Sequence, residues 1–472
     1  MNKYLLVFLL LLKYLTVIGA DTIVIDSIVV KGNDLTKRNV ITRELTFQAG
    51  DTIESPLMAA LIATNRTRLV NTNLFSVVTL TLKNGSDIHH AFIEINLIEK
   101  WYIFPGPIFS YGDRNLYTWL HDYGGKLDRV NYGLRLSHFN LTGRRDPLTL
   151  TLQGGYTPKI ALGYSLPFFD KKQHWGFFSS IFYAKNHEIG YITQNNTVPN
   201  LTDTIGTLSR TYGADLGFSY RPALFDNHFI SAGYYVNEVD PIVIQEKNNP
   251  NYLGDRKTQQ KFTWIAYTYQ HDTRDLAPYP SKGHNFAASI ALSGLLSSDD
   301  VHNLSASVKY SHYFPITDKW SSAHAVRIKV DLLRDNQPYN FNHAFGYGGD
   351  ILHGYDAYVV DGLDFFYLKN SLRYEFFHTD LRLNKVPIIR NKMWKGFWDV
   401  PLRCYLTANF DVGYANLPDS QAYLNNTFSN KMLYGYGVGL DIVIYHNIVI
   451  QLDYSFNDTG KGGFYYRQRS SF

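Results

Sequence analysis

Residues 346–362 read GYGGDILHGYDAYVVDG and set one histidine, His353, among Asp350, Asp356 and Asp361. A glycine-rich run cradles phosphate where a strand leads through G-x-G-x-x-G into a helix, and no such pattern surrounds this one. The aspartates and His353 stand at spacings that build no familiar metal or acid/base site. His89-His90 with Glu94 is a second candidate. Adjacent strand residues face opposite ways, so a solvated surface is the expected reading. GYSLP at 163–167 lacks the second glycine of a nucleophile elbow. No Ser/His/Asp arrangement stands out. These residues predict no enzyme, no cofactor and no metal.

The elements that must hold these residues change character near Trp101. Residues 21–100 read as a small α/β domain in the order strand, helix, helix, strand, strand. TIVIDSIVVKGN is a strand ending in a Gly-Asn turn. Thr36 can cap a helix through about Leu45. Ser55-Pro56 opens a second helix with apolar Leu57, Ala60, Leu61 and Leu69. LFSVVTLTLK and HHAFIEINLIE then read as strands around Asn84-Gly85.

From residue 101 to 472 the period is two. Leu304, Ala306, Val308 and Tyr310 alternate with Ser305, Ser307, Lys309 and Ser311. Val326, Ile328 and Val330 alternate with Arg327, Lys329 and Asp331. A packed sandwich core would not tolerate charges on its inner phase, whereas a water-filled lumen does. Tyr156 and Phe314, at expected strand ends, suit membrane interfaces. About 16 strands at roughly 23 residues apiece would fill the segment. Pro105 and Pro107 in EKWYIFPGP limit pairing at its first strand.

Composition agrees. Aromatics make up 15% of the chain and the mean hydropathy is −0.21. Beyond the first twenty residues no apolar stretch is long enough for a membrane helix. Residues 1–20, MNKYLLVFLLLLKYLTVIGA, have a basic start, an apolar run and a small-residue end, which predicts a cleaved signal peptide. Lys13 interrupts the run and favours cleavage over a membrane anchor. The single cysteine, Cys404, excludes an intrachain disulfide framework. A net charge of +4 gives no argument for nucleic acid.

Ile28, Val30, Gly32, Asn33 and Thr36, then ITREL, Gly50-Asp51 and NTNLF, resemble a POTRA domain. Three later segments resemble the BamA/TamA-like outer-membrane superfamily, in which a POTRA precedes a bacterial surface antigen barrel. HDTRDLAPYPSKG supplies the strand-end motif through Asp272, Arg274, Asp275 and Gly283. GGDILHGY is similar to the lumen-loop motif through Leu352, Gly354 and Tyr355, with His353 where the family has arginine. ANFDVGYA, with Phe410, Asp411 and Gly413, resembles the wall that receives the loop. The resemblance is to a short form with one POTRA.

The resemblance implies an all-β transmembrane barrel in the bacterial outer membrane, with the POTRA in the periplasm. It implies insertion or translocation of unfolded outer-membrane or secreted proteins. The POTRA would bind client or partner strands, including periplasmic or lipoprotein partners. A seam between the first strand, Ile103–Tyr111, and the last, Phe464–Phe472, would open laterally in the lipid bilayer. The alternatives are a secretion pore for one dedicated exoprotein and a non-catalytic accessory barrel. His353 is expected inside the barrel near Asp411, with Arg274 competing for that carboxylate.

Overall fold

The computed structural model describes residues 22–468 apart from 86, 88, 114–115, 171, 204–205, 335–336, 383–398, 418–423 and 446–447. The expected signal peptide and Phe472 lie outside the described residues. Two compact units result, one of residues 22–34 with 38–99, the other of 35–37 with the chain from Lys100 onward.

The first unit is a four-stranded mixed sheet of β1 (Thr22–Lys31), β2 (Thr52–Glu54), β3 (Phe75–Asn84) and β4 (His90–Glu99), in the order β2-β1-β4-β3. β1 runs parallel to β4, and the other pairs are antiparallel. One full helix, Met58–Asn71, packs against β3 and buries Met58 and Leu69. Two expectations need correction. The first helix shrinks to Arg38–Thr42, because the amides of Glu44 and Leu45 close back on Ile41 and Thr42 as tight three-residue turns. Buried Asn65 then captures the Thr46 amide at 2.7 Å, which fixes this loop. Ser55 does not cap the second helix but begins a 3₁₀ turn, Ser55–Leu57, and Leu57 faces solvent. The unanticipated β2 covers one edge of β1, so the long free edge is that of β3.

The second unit is a sixteen-stranded sheet in which every consecutive pair is antiparallel. Its first seven strands are β5 (Ile103–Tyr111), β6 (Val130–His138), β7 (Leu148–Gly155), β8 (Lys159–Leu166), β9 (Trp175–Asn186), β12 (Ser209–Tyr220) and β13 (Asp226–Val239). Short β10 (Glu188–Gly190) and β11 (Asn200–Thr202) form a separate hairpin between β9 and β12. The sheet continues through β14 (Gln259–Asp272), β15 (Gly283–Ser293), β16 (Asn303–Pro315) and β17 (Trp320–Asp331). A second hairpin, β18 (His343–Phe345) with β19 (Val360–Asp361), intervenes. β20 (Asp364–Arg382), β21 (Asp399–Asn416), β22 (Met432–Ile444), β23 (Ile448–Asn457) and β24 (Gly462–Gln468) complete it.

The sheet curls on itself. Tyr279, between β14 and β15, reaches Asp441 on β22 at 2.8 Å, several strands away in the ladder order. The helix Leu116–His121, which follows β5, touches β24 through Tyr117 and Tyr465, with ring centroids 5.4 Å apart. Along β16, Val308, Tyr310 and Phe314 are exposed while Ser311 and Tyr313 are buried. This alternation is the pattern of a barrel wall with an apolar outside. Tyr156 departs from the expected interface role, because its phenol turns onto the guanidinium of Arg129. One end of the wall carries brief turns such as 221–225 and 316–319, and the other carries long segments such as 240–258 and 332–363. β5 begins at the short-turn end.

Candidate functional site: the clasped loop and the seam

The segment 346–362 leaves β18, turns inside the barrel and returns to β19. Its tip, Leu352–Tyr355, is buried. Gly354 holds φ +79°, and a Cβ there would lie 2.3 Å from the backbone of Phe456. The wall is thinned to match. A Cβ on Gly413 would lie 2.5 Å from the Leu352 side chain, and one on Gly435 would strike the His353 carbonyl. Glycine is thus required where loop and wall backbones nearly touch.

The contacts then follow from charge. The Asp411 Oδ2 accepts from the His353 amide at 2.9 Å and from its Nδ1 at 2.7 Å. A carboxylate only accepts, so Nδ1 carries the proton. Nε2 faces Asp453 at 4.0 Å. The Gly354 amide donates to Ser455 at 3.0 Å, and the Tyr355 hydroxyl donates to Asp458 at 2.7 Å. Lys369 donates to the Ile351 carbonyl at 2.5 Å, and Arg327 holds Asp350 at 2.7 Å. Leu352 and Tyr355 join Phe345, Phe365, Tyr367 and Leu433 in one apolar cluster.

Arg467 of β24 completes the clasp. It forks onto Asp356 at 2.8 and 2.6 Å and bonds Asp453 at 2.6 Å, fully inside the wall. The loop tip therefore carries a single imidazole, and the guanidinium beside it comes from the closing strand. Two such bonds in parallel fix orientation as well as charge.

The strand-end residues form a separate site. Arg274 pairs with Asp272 at 2.8 and 2.7 Å and not with Asp411, which corrects the expected competition. Asp275 gathers the amides of Leu276 and Ser281 and the Ser281 hydroxyl, closing the turn that ends at Gly283. That turn sends Tyr279 inward over Arg373, whose Cζ lies 4.4 Å from the ring centroid, and on to Asp441. Of the wall residues, Asp411 and Gly413 meet the loop, while Phe410 faces outward, 46% exposed.

At the seam, Ile103 and Phe464 face outward. Among the described residues no ladder joins β5 to β24. A proline cannot donate to a ladder, so Pro105 and Pro107, paired in register with Leu136 and Leu134, must turn their nitrogens to the open edge.

Residues 140–379, more than half of the chain, match the Omp85 superfamily domain. The chain belongs to the Omp85 superfamily. No curated protein matches the sequence. Among solved structures, this Omp85 protein is similar to BamA from Haemophilus ducreyi lacking POTRA domains 1–3. The identity is 14%, the TM-score 0.51, and 94% of this chain and 83% of that one are covered. CdiB from Escherichia coli gives 12% identity and a TM-score of 0.57, covering 95% and 76%. CdiB from Acinetobacter baumannii gives 13% and 0.51, covering 94% and 73%. At these identities the likeness is one of fold: a BamA-like barrel behind a small α/β domain.

Sequence reasoning missed Arg467, Asp356, Asp453 and Tyr279 in this Omp85 barrel. The alternation in GGFYYRQ placed Arg467 on the phase opposite Phe464, which was the available sign that it points inward. Nothing local marks Asp356 or Tyr279, since their partners stand 111 and 162 residues away.

Proposed function

We propose that this Omp85 protein inserts or translocates unfolded proteins at the bacterial outer membrane. Residues 101–472 are the membrane barrel, 21–100 a periplasmic POTRA and 1–20 a signal peptide. The observation that carries this reading is the edge of β5, which is unpaired among the described residues and from which two prolines remove donors. Unpaired backbone groups are costly in lipid, and an incoming client strand satisfies them. The free edge of β3 offers a second place for strand addition, by clients or by periplasmic or lipoprotein partners. The work is strand exchange, with no enzymatic step, cofactor or nucleic acid.

Depletion of the protein followed by an outer-membrane proteome tests it. Broad loss of barrel proteins is the expected result. Loss of one exoprotein alone means a dedicated secretion pore, and an unchanged proteome means an accessory barrel. Orientation is tested on intact cells with single cysteines in a Cys404→Ala background. Labelling at Ala60→Cys without labelling in the long loops overturns the topology.

A further inference from the structure

Four histidines stand side by side on the outside of the barrel, and nothing in the clasp or the seam uses them. His284, His312 and His324 lie directly opposite one another across β15, β16 and β17, and Asn370 of β20 continues the same row. His271 of β14 stacks on His284, with ring centroids 5.3 Å apart, and His284 lies 5.8 Å from His312. The row shares its phase with exposed Tyr310, Phe314 and Val326, so it faces lipid. It lies near the short-turn end, close to Trp320 at the start of β17.

The rings are held in orientation from within the chain. The Nδ1 atoms of His284, His312 and His324 meet the Thr273 hydroxyl at 3.1 Å, the Tyr310 hydroxyl at 3.0 Å and the Asn370 Oδ1 at 2.8 Å. The Nε2 of His324 has the Ser322 hydroxyl at 3.3 Å. Among the described residues the Nε2 atoms of His284 and His312 have no hydrogen-bond partner. At one end Asp226 of β13 takes His271 at 2.8 Å and the Tyr269 hydroxyl at 2.6 Å, with His228 nearby against Tyr269. Among the described residues no carboxylate pairs with His284, His312 or His324. A proton on any one of the three thus has no counter-charge within the chain, and an outside anion is what would supply it. No third ligand assembles with any pair of them among the described residues, which disfavours a metal ion.

We propose that His284, His312 and His324 form a proton-gated binding strip for the phosphate of phospholipid headgroups in the periplasmic leaflet. This rests on the outer-membrane reading above. Short turns mark the periplasmic end of such barrels. At that level, a lipid neighbour presents a phosphate to an outward N–H. Acid conditions favour a proton on the strip, and the lipid phosphate supplies the counter-charge that the chain lacks there. The strip lies midway along the sheet order, far from β5 and β24, so it fixes the barrel's depth on the side away from the seam.

The full-length protein in phosphatidylcholine vesicles with EDTA, probed with spin-labelled phosphatidylglycerol or phosphatidylcholine, tests this. The preference for phosphatidylglycerol should rise at least about fivefold between pH 8 and pH 5.5, the worth of one surface cation. The triple variant His284→Gln, His312→Gln, His324→Gln should lose that rise. The matching triple Lys variant should keep a strong preference at both pH values. Equal preference at both pH values in the native protein, or an unchanged rise in the Gln variant, overturns the strip. So does a rise seen only when EDTA is left out, which means a bridging metal, or inorganic phosphate binding that the Gln variant loses while its lipid preference still rises, which means a free-anion site. Restricted phosphatidylcholine at the barrel surface reports insertion itself, and its absence counts against the membrane reading instead.

Discussion

The two ends of the sixteen-stranded sheet are built on opposite principles. β24 carries Arg467, which is pinned by Asp356 from the lumen loop and by Asp453 from β23. Among the described residues β5 pairs with β6 alone, and its sequence IFPGPIFSY carries two prolines and a glycine. One end has its charge neutralised inside the wall. The other has had ladder donors removed from its free side. The difference teaches where the proposed opening would start: at β5, with β24 following only together with the loop that clasps it.

Removing the clasp should have the largest effect. Arg467→Ala takes the guanidinium away from buried Asp356 and Asp453, a loss of about 3–5 kcal/mol for a broken buried pair. Limited proteolysis should then cut the 346–362 loop readily, and the heat needed to unfold the barrel in gel-shift assays should fall. Arg467→Lys should restore part of the resistance, since an ammonium keeps the charge but loses the fork. Proteolysis of Arg467→Ala at the native rate would erase the contrast between the two ends.

The tip contact comes next. His353→Ala forfeits a bond to a carboxylate, worth roughly 1.5–3 kcal/mol. It should loosen the loop less than Arg467→Ala does. His353→Arg should hold the loop at least as firmly, because a guanidinium can fork onto Asp411. Equal loop cleavage in all three proteins would show that the tip is held by packing alone.

At the other end, Pro105→Val with Pro107→Val returns two donors to the open edge of β5. Each new ladder bond contributes about 0.5–1.5 kcal/mol. Disulfide crosslinking between cysteines placed at Ser110 and Tyr466, again without Cys404, should rise in the double variant, and client insertion should slow. Unchanged crosslinking would mean that the prolines do not set the seam.

The smallest effect lies in the first unit. The Asp26 carboxylate accepting from His90 at 2.5 Å raises the His90 pKa above its ordinary value. The folded form then binds the proton more tightly than the unfolded form does. Its contribution is present at pH below the unfolded value and is lost as pH rises through the folded one. The pair is exposed, so the change is slight. Hydrogen exchange of β1 and β4 amides, corrected for intrinsic rate, should quicken modestly across that rise, and His90→Gln should flatten the dependence.

Period and punctuation made much of this protein legible. The switch to period two near Trp101 and the charges on the inner phase called for a wet-lumen barrel, and the strand number followed from length. Gly354, Gly413 and Asp411 were visible as motif positions, and His353 as a departure. These signals are local, because alternation and turn chemistry are properties of neighbouring residues. The shortened first helix was not legible. Asn65, 19 residues downstream of Thr46, decides where that helix stops. Nor could sequence show that the guanidinium beside Asp356 belongs to the last strand, that Tyr279 crosses the lumen, or that three histidines from three strands form one row. Those facts depend on ladder register and on the curl of the sheet, which bring residues far apart in the chain within a few ångströms. Composition and period decided the barrel, and only the register and curl of its sheet decided which charges meet.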